Sequence, residues 1–214
     1  MIHNNCENSN FEFFQTTLRA IEVNYSWLFH KLAWISLGGG VLFTQHGYPL
    51  DLFAQLLKEF KNRYNLEVYL EPGEAIVHNC GTLEVSVLDI LDGSPPKCIV
   101  DASIESHFLD LLIYRYQASI EPNSGPYSYQ IAGRSCLAGD IFGTFNFQEK
   151  LEVGSRISIK HAAAYSLVKK NWFNGLSMPS LVLKHHSGEL ECILTFNYHD
   201  FIQSHGCSLR CSAP

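Results

Sequence analysis

Apolar residues follow helical and strand spacings in turn along the first third of the chain. Between residues 11 and 32 they recur every three or four positions, which predicts a helix. The apolar run 32–37 stops at three glycines, as a buried parallel strand does. Residues 49–63 again have helical spacing, and 66–70 form a second apolar run. Strand, helix and strand in this order predict a parallel β-α-β unit.

The pattern changes after Glu74. Short apolar or alternating runs at 85–90, 97–101 and 190–194 are separated by clusters of glycine, proline, serine and asparagine. Such spacing is typical of an antiparallel β region. Residues 162–171 form the clearest late helix. The sequence therefore predicts an α/β segment followed by a mainly antiparallel β domain.

Composition narrows the classes of function. The 214 residues carry a formal net charge of −6, which argues against nucleic-acid binding because that requires a basic face. No apolar run approaches the ~18 residues of a membrane span, and the first residues lack the basic flank and apolar core of a signal peptide. A cytoplasmic protein that does not bind membranes is therefore expected. Seven scattered cysteines, an odd number, predict reduced thiols rather than disulfides.

Three loops carry residues suited to chemistry. The triplet Gly38–Gly40 follows the first strand, and its backbone N–H groups could bind a phosphate, with a tight turn as the alternative. Glu71 follows the second strand, where sheets place functional groups, and is otherwise a solvated loop acid. Cys136 and Asp140 share a glycine-containing loop. The thiol is either reactive or simply a small buried side chain.

Four segments, in order, resemble the carboxynorspermidine decarboxylases. They are the glycine triplet, Glu-Pro-Gly-Glu-Ala at 71–75, Ser-Cys-Leu-Ala-Gly-Asp at 135–140 and Lys-Lys-Asn-Trp-Phe-Asn-Gly-Leu at 169–176. The resemblance extends from about residue 2 to about residue 202. These enzymes depend on pyridoxal 5'-phosphate and share a fold-type III architecture with ornithine and diaminopimelate decarboxylases. Their reaction, in polyamine biosynthesis, converts carboxynorspermidine or carboxyspermidine to norspermidine or spermidine.

The resemblance also implies a division of the chain. Residues 1–76 correspond to the C-terminal portion of the cofactor-binding β/α barrel, and 77–214 to a β domain that carries Cys136. A complete barrel needs about 250 residues, and the lysine that binds the cofactor covalently belongs to its early strands. The chain is therefore expected to be an inactive or incomplete fragment of the decarboxylase. The alternative is a non-catalytic dimerisation partner of a full-length decarboxylase.

Individual residues acquire roles from the same resemblance. The expected cofactor contacts are His3 on the ring face, Glu71 at the pyridine nitrogen, and Gly38, Gly39, Gly40 and Tyr165 at the phosphate. Cys136, acting across a homodimer interface, is expected to protonate the substrate carbon that loses carbon dioxide. The amines of a polyamine-like substrate need carboxylates, for which the candidates are Glu74, Asp110, Glu105 and Asp140. The ornithine and diaminopimelate branches have arginine in place of Glu74, which would repel such amines.

Two features depart from the family pattern. Thr144 and Phe145 stand where the family tends to have an acid and a tyrosine. The tail at 203–214 has no counterpart, and Cys207 and Cys211 there, with His205, are weak candidates for a metal site because zinc prefers four ligands. No metal is therefore expected.

Overall fold

The computed structural model describes residues 1–163 and 165–206, so Cys207 and Cys211 lie outside the described residues. The chain divides into two compact units, Met1–His78 and Asn79–Pro214. No helix in the described ranges is long and apolar enough to cross a bilayer. The five cysteines within those ranges have free thiols.

The first unit contains the predicted β-α-β arrangement, preceded by one helix. Its elements are α1 (Phe11–Phe29), β1 (Trp34–Ser36), α2 (Leu50–Tyr64), β2 (Glu67–Tyr69) and α3 (Glu74–Val77). Strands β1 and β2 pair in parallel, with Ile35 opposite Val68. The side chain of Asn10 accepts a hydrogen bond from the N–H of Phe13 at the start of α1, which satisfies a donor that the helix leaves open.

The core of this unit lies between the two long helices and the strands. Phe14 packs edge-on against Phe53, and Phe29 packs in the same way against Phe60. The prediction that both strands are buried was only partly correct, because β2 is exposed at both of its ends. Among the described residues this sheet has two strands.

The second unit is built on a five-stranded sheet. Its strands are β3 (Leu83–Leu91), β4 (Lys97–Val100), β5 (Tyr127–Ala132), β6 (Ile141–Phe147) and β7 (Arg156–Ile159). They lie in the order β6-β5-β4-β3-β7. The pairing is antiparallel throughout except between β4 and β5, which are parallel. The prediction of a mainly antiparallel β domain was therefore correct.

Short helices and a hairpin complete the second unit. They are α4 (Ile104–His107), α5 (Leu109–Tyr114), α6 (Tyr165–Lys169), a single 3-10 turn (Phe173–Gly175), β8 (Leu181–Lys184), β9 (Leu190–Leu194) and α7 (Tyr198–Ser204). The late helix predicted at 162–171 is shorter in the structure, where α6 has five residues. The sheet core is apolar, with Cys98, Val100, Ile131, Phe142 and Ile159 fully buried. Burial raises the pKa of the Cys98 thiol to about 11, so this cysteine is chemically inert.

The outer edge of β6 is covered by the segment that precedes β5. The N–H of Thr144 donates to the side-chain oxygen of Gln117 at 3.2 Å, and the N–H of Asn146 donates to that of Asn123 at 2.8 Å. Side-chain acceptors on outward-facing amides prevent this edge from pairing with another strand. Thr144, which departs from the family pattern, thus helps to protect this edge through its backbone N–H.

Candidate active site

The glycine triplet is held between two other segments of the first unit. Gly38 and Gly40 have φ angles of +73° and +87°, a region that favours glycine. A Cβ at Gly38 would lie 2.6 Å from Nδ1 of His3, and one at Gly39 would collide with the backbone oxygen of Glu71. Each glycine is therefore required for packing. This close approach brings His3 and Glu71 to the same short stretch of backbone.

Glu71 is fixed by a serine that the sequence analysis did not identify. The Ser36 hydroxyl donates to Oε1 of Glu71 at 2.5 Å and accepts from the N–H of Gly38 at 3.1 Å. The N–H of Glu71 donates to the carbonyl of Gly38 at 2.8 Å. The signal for Ser36 was available: it is a buried polar residue at the end of an apolar strand, and such groups need partners.

His3 contacts the triplet through its imidazole ring. Nδ1 accepts from the N–H of Gly39 at 3.2 Å, and Nε2 lies 3.4 Å from Sγ of Cys6. Because Nδ1 accepts, the neutral ring carries its proton on Nε2, which therefore donates to the sulfur. The expected stacking of His3 on the cofactor ring remains a prediction. Glu74 is half-buried and is the first residue of α3, which begins shortly after Glu71.

The Cys136 loop of the second unit joins β5 to β6. Cys136 is exposed, and its N–H donates to Oδ1 of Asn174 at 3.4 Å. Asp140 is buried, with 4% of its surface exposed. Its two carboxylate oxygens accept the N–H groups of Ile104 at 2.8 Å and Ser135 at 3.0 Å. Asp140 thus ties the Cys136 loop to the start of α4 and has no oxygen left without a backbone donor.

Helix α4 also anchors the segment that follows α6. The N–H of Asn171 donates to the carbonyl of Ser106 at 2.9 Å, and the Ser106 hydroxyl donates to the carbonyl of Phe173 at 3.3 Å. The side-chain amide of Asn171 donates to the carbonyl of Glu105 at 2.9 Å and lies 3.4 Å from its Oε1. Glu105 is half-buried, and its Oε2 lies 3.5 Å from the Ser106 hydroxyl.

A buried histidine completes this set of contacts. Nδ1 of His107 accepts the N–H of Ser103 at 3.1 Å, so Nε2 carries the proton and donates to the carbonyl of Ser177 at 3.0 Å. Burial is the main cause that lowers the pKa of His107 below its ordinary value. The ring is therefore neutral, and its two nitrogens bridge the N–H of Ser103 and the carbonyl of Ser177.

Asp110 and Tyr165 meet at a lysine. The ammonium of Lys169 forms an ion pair with Oδ1 of Asp110, and it lies 4.9 Å from the ring centre of Tyr165 and 5.9 Å from that of Tyr114. Asp110 is buried, whereas the Tyr165 ring is exposed. Asp110 thus already has a cationic partner within the protein, and the lysine fixes the position of α6 relative to α5.

The candidate residues fall into separate groups. The first unit brings together His3, Gly38, Gly39, Gly40 and Glu71 through direct contacts. In the second unit, Cys136, Asp140 and Glu105 are linked through α4 and the 3-10 turn, and Asp110 with Tyr165 through Lys169. The sequence analysis did not identify the residues whose hydrogen bonds and ion pairs hold these groups together, which are Ser36, Ser106, His107, Asn171, Asn174 and Lys169.

The first unit fits a cofactor with a phosphate and a pyridine nitrogen. Glu71 is exposed, and within the described part of the chain its second carboxylate oxygen, Oε2, has no hydrogen-bonding partner, so it can accept a pyridinium N–H. At each glycine of the triplet an added Cβ would collide with His3, Glu71 or Asn5, so this stretch stays bare backbone, of the kind that can approach a phosphate closely.

Comparison with known proteins identifies the family. The pyridoxal-dependent decarboxylase family, through its C-terminal sheet domain, matches residues 22–163. The chain is 48% identical over 204 residues to a carboxynorspermidine/carboxyspermidine decarboxylase of Herminiimonas arsenicoxydans, with 95% of this chain and 56% of that protein covered. A protein of the same description from Campylobacter jejuni subsp. jejuni is 31% identical over 214 residues, covering 93% of this chain and 56% of that protein.

A solved structure supports the same assignment. The carboxynorspermidine decarboxylase of Campylobacter jejuni, complexed with norspermidine, superposes with a TM-score of 0.87 and 31% identity, covering 94% of this chain and 59% of that one. Diaminopimelate decarboxylase from Helicobacter pylori shares the fold, with a TM-score of 0.77 at 19% identity. The chain thus spans little more than half the length of the relatives that it matches. It belongs to the pyridoxal-dependent decarboxylases, of which it contains the C-terminal sheet domain and the adjoining part of the barrel.

Proposed function

We propose that this chain supplies the cofactor-facing and proton-donating residues of a decarboxylase that acts on carboxynorspermidine or carboxyspermidine. One observation carries the proposal: Glu71 and the glycine triplet are joined by hydrogen bonds through Ser36 and through their own backbones. Glu71, expected at the pyridine nitrogen, and the glycine triplet, expected at the phosphate, are thus held in fixed positions relative to each other. The 48% identity to the Herminiimonas protein supports the choice of substrate.

Pyridoxal phosphate, when bound, withdraws electrons from the substrate carbon that loses carbon dioxide. Glu71 would keep the pyridine nitrogen protonated by accepting its N–H, and the glycine triplet and Tyr165 would hold the phosphate. Cys136 gives its thiol proton to the carbon that carbon dioxide has left, and the resulting thiolate is reprotonated from solvent. The exposure of Cys136 supports this role, because the thiol is accessible to substrate and to water.

Four carboxylates are candidates for binding the substrate amines, namely Glu74, Glu105, Asp110 and Asp140. Asp140 has both oxygens engaged by backbone donors, and Asp110 is paired with Lys169. Glu74 and Glu105 are half-buried, whereas Asp110 and Asp140 are buried, so we place Glu74 and Glu105 first among these four amine-binding candidates. Protonated amines bind to carboxylates through charge-assisted hydrogen bonds.

The test is to reconstitute a complete enzyme. The chain is co-expressed with the part of the Herminiimonas decarboxylase that it does not match, and carbon dioxide release from carboxynorspermidine is measured together with cofactor absorbance. We expect turnover from the pair and none from the 214-residue chain alone. Glu71→Gln should abolish turnover, whereas Glu67→Gln should not, because Glu67 is exposed and pairs only with Lys61. A pair that binds the cofactor but releases no carbon dioxide would refute the proposed activity.

A second candidate is that the chain acts as a partner of a full-length decarboxylase. The observation in its favour is that Cys136 and the described residues that hold its loop all lie in the second unit. That unit could donate its cysteine across a dimer interface without the first unit taking part. Co-expression with a full-length relative that lacks the equivalent cysteine tests this idea. Sedimentation shows whether the two chains associate, and restored turnover is the expected result.

A further inference from the structure

The 3-10 turn at Phe173–Gly175 contains an asparagine in an uncommon conformation. Asn174 has φ +57° and ψ +13°, in the left-handed region that most side chains avoid. Asparagine tolerates this region better than other residues that have a side chain. The turn is also fixed from outside, because the Phe173 N–H donates to Oδ1 of Asn171 at 2.8 Å. The backbone therefore sets the direction of the Asn174 side chain.

That side chain supplies a hydrogen bond to the Cys136 loop. Three consecutive backbone amides of the loop donate to side-chain oxygens: Ser135 to Asp140 at 3.0 Å, Cys136 to Asn174 at 3.4 Å and Leu137 to Ser135 at 3.2 Å. Two of the three acceptors belong to the loop itself. Asn174 is 38 residues away in sequence. Asp140 links the loop to α4, whereas Asn174 holds the amide of the cysteine itself to the 3-10 turn.

We propose that Asn174 is a positioning residue for Cys136. By accepting the Cys136 N–H, it fixes the orientation of the Cα–Cβ bond and so the position from which the thiol extends. The inference rests on the proposed role of Cys136 as proton donor. A loop held only at Ser135 and Leu137 would let this bond vary, and catalytic groups lose much of their effect when they are misplaced by about 1 Å.

Three substitutions separate the hydrogen bond from the backbone conformation. Asn174→Gly keeps the left-handed turn but removes the acceptor, Asn174→Ala removes the acceptor and strains the turn, and Asn174→Asp keeps an acceptor oxygen. Site-resolved amide hydrogen exchange is measured on the 214-residue chain. We expect the Cys136 amide of Asn174→Gly to exchange about two- to tenfold faster, equivalent to about 0.5–1.5 kcal/mol. The Leu137 amide, whose acceptor is unchanged, serves as the internal control.

The result that overturns the inference is equally specific. If Asn174→Gly leaves exchange at Cys136 unchanged and only Asn174→Ala alters it, the residue serves the backbone turn and not the cysteine. In the reconstituted enzyme, Asn174→Gly should lower kcat about tenfold or more with little change in KM, and Asn174→Asp should restore it. An unchanged kcat in Asn174→Gly also overturns the inference. A wild-type pair without turnover would instead refute the proposed function, while the exchange experiment still decides whether the hydrogen bond exists.

Discussion

Replacing Asp140 tests whether this carboxylate holds the Cys136 loop or binds substrate. In Asp140→Ala, the N–H groups of Ile104 and Ser135 lose their acceptors in a buried region. Each unsatisfied donor is unfavourable by about 1–3 kcal/mol. The free energy of unfolding should therefore fall by about 2–6 kcal/mol. Asp140→Asn keeps one acceptor and places an amide against the other donor, so about half of that loss is expected.

The assay is urea unfolding of the 214-residue chain followed by circular dichroism. Asp92→Asn is the matched control, because Asp92 is exposed and its removal should change the free energy of unfolding by no more than about 0.5 kcal/mol. Amide exchange at Ser135 and Ile104 should accelerate in both Asp140 variants and stay unchanged in the control. An Asp140→Ala chain as stable as Asp92→Asn would refute the reasoning.

Three further predictions concern other contacts of the site. His107 is neutral and has a lowered pKa, so its contribution to stability is present above the unfolded-state pKa near 6.5 and is lost as pH falls below it. In thermal unfolding, the Tm should therefore decrease less between pH 7.5 and pH 5.5 for His107→Asn than for the unsubstituted chain. Gly39→Ala should destabilise the first unit by about 1–3 kcal/mol in urea unfolding, whereas Gly139→Ala, whose Cβ meets nothing within 4 Å, should not. Lys169→Met should reduce the free energy of unfolding by about 1–3 kcal/mol, because Asp110 loses its partner in a partly buried pair; Lys170→Met, which removes a bond to a helix carbonyl, is its control.

The sequence predicted the parallel unit well because its spacing is regular. Helix α2 was expected at 49–63 and spans Leu50–Tyr64, and β1 and β2 lie within their predicted runs. Strands β5 to β7 were not identified. In β6 the fully buried Phe142 stands beside Gly143 and is followed by the exposed Thr144, so the apolar alternation is short and interrupted. Strand signals of this kind become clear only when the neighbouring strands are known.

The candidate site, like the fold, could be predicted from the sequence only in part. The glycine triplet could be found from sequence because three small residues after a strand are unusual, but the reason for each glycine, a neighbouring backbone, could not. Ser106, Asn171 and Asn174 act on partners up to 67 residues away in sequence. Their hydrogen bonds follow no spacing rule. The fold also gives Asp110 and Asp140 protein partners that the sequence could not reveal, and their binding of amines stays a prediction.

The two groups of candidate residues are held by different physical means, and this suggests different tolerances to change. In the first unit, His3, Glu71 and the triplet are placed by backbone segments in close contact, so any added Cβ displaces them. In the second unit, the Cys136 loop is placed by side-chain oxygens that accept backbone N–H groups. Each such bond contributes only about 1 kcal/mol, so the position of the loop depends on several separate acceptors. The first group should therefore fail at any one added side chain, whereas the loop should loosen step by step as its acceptors are removed one at a time.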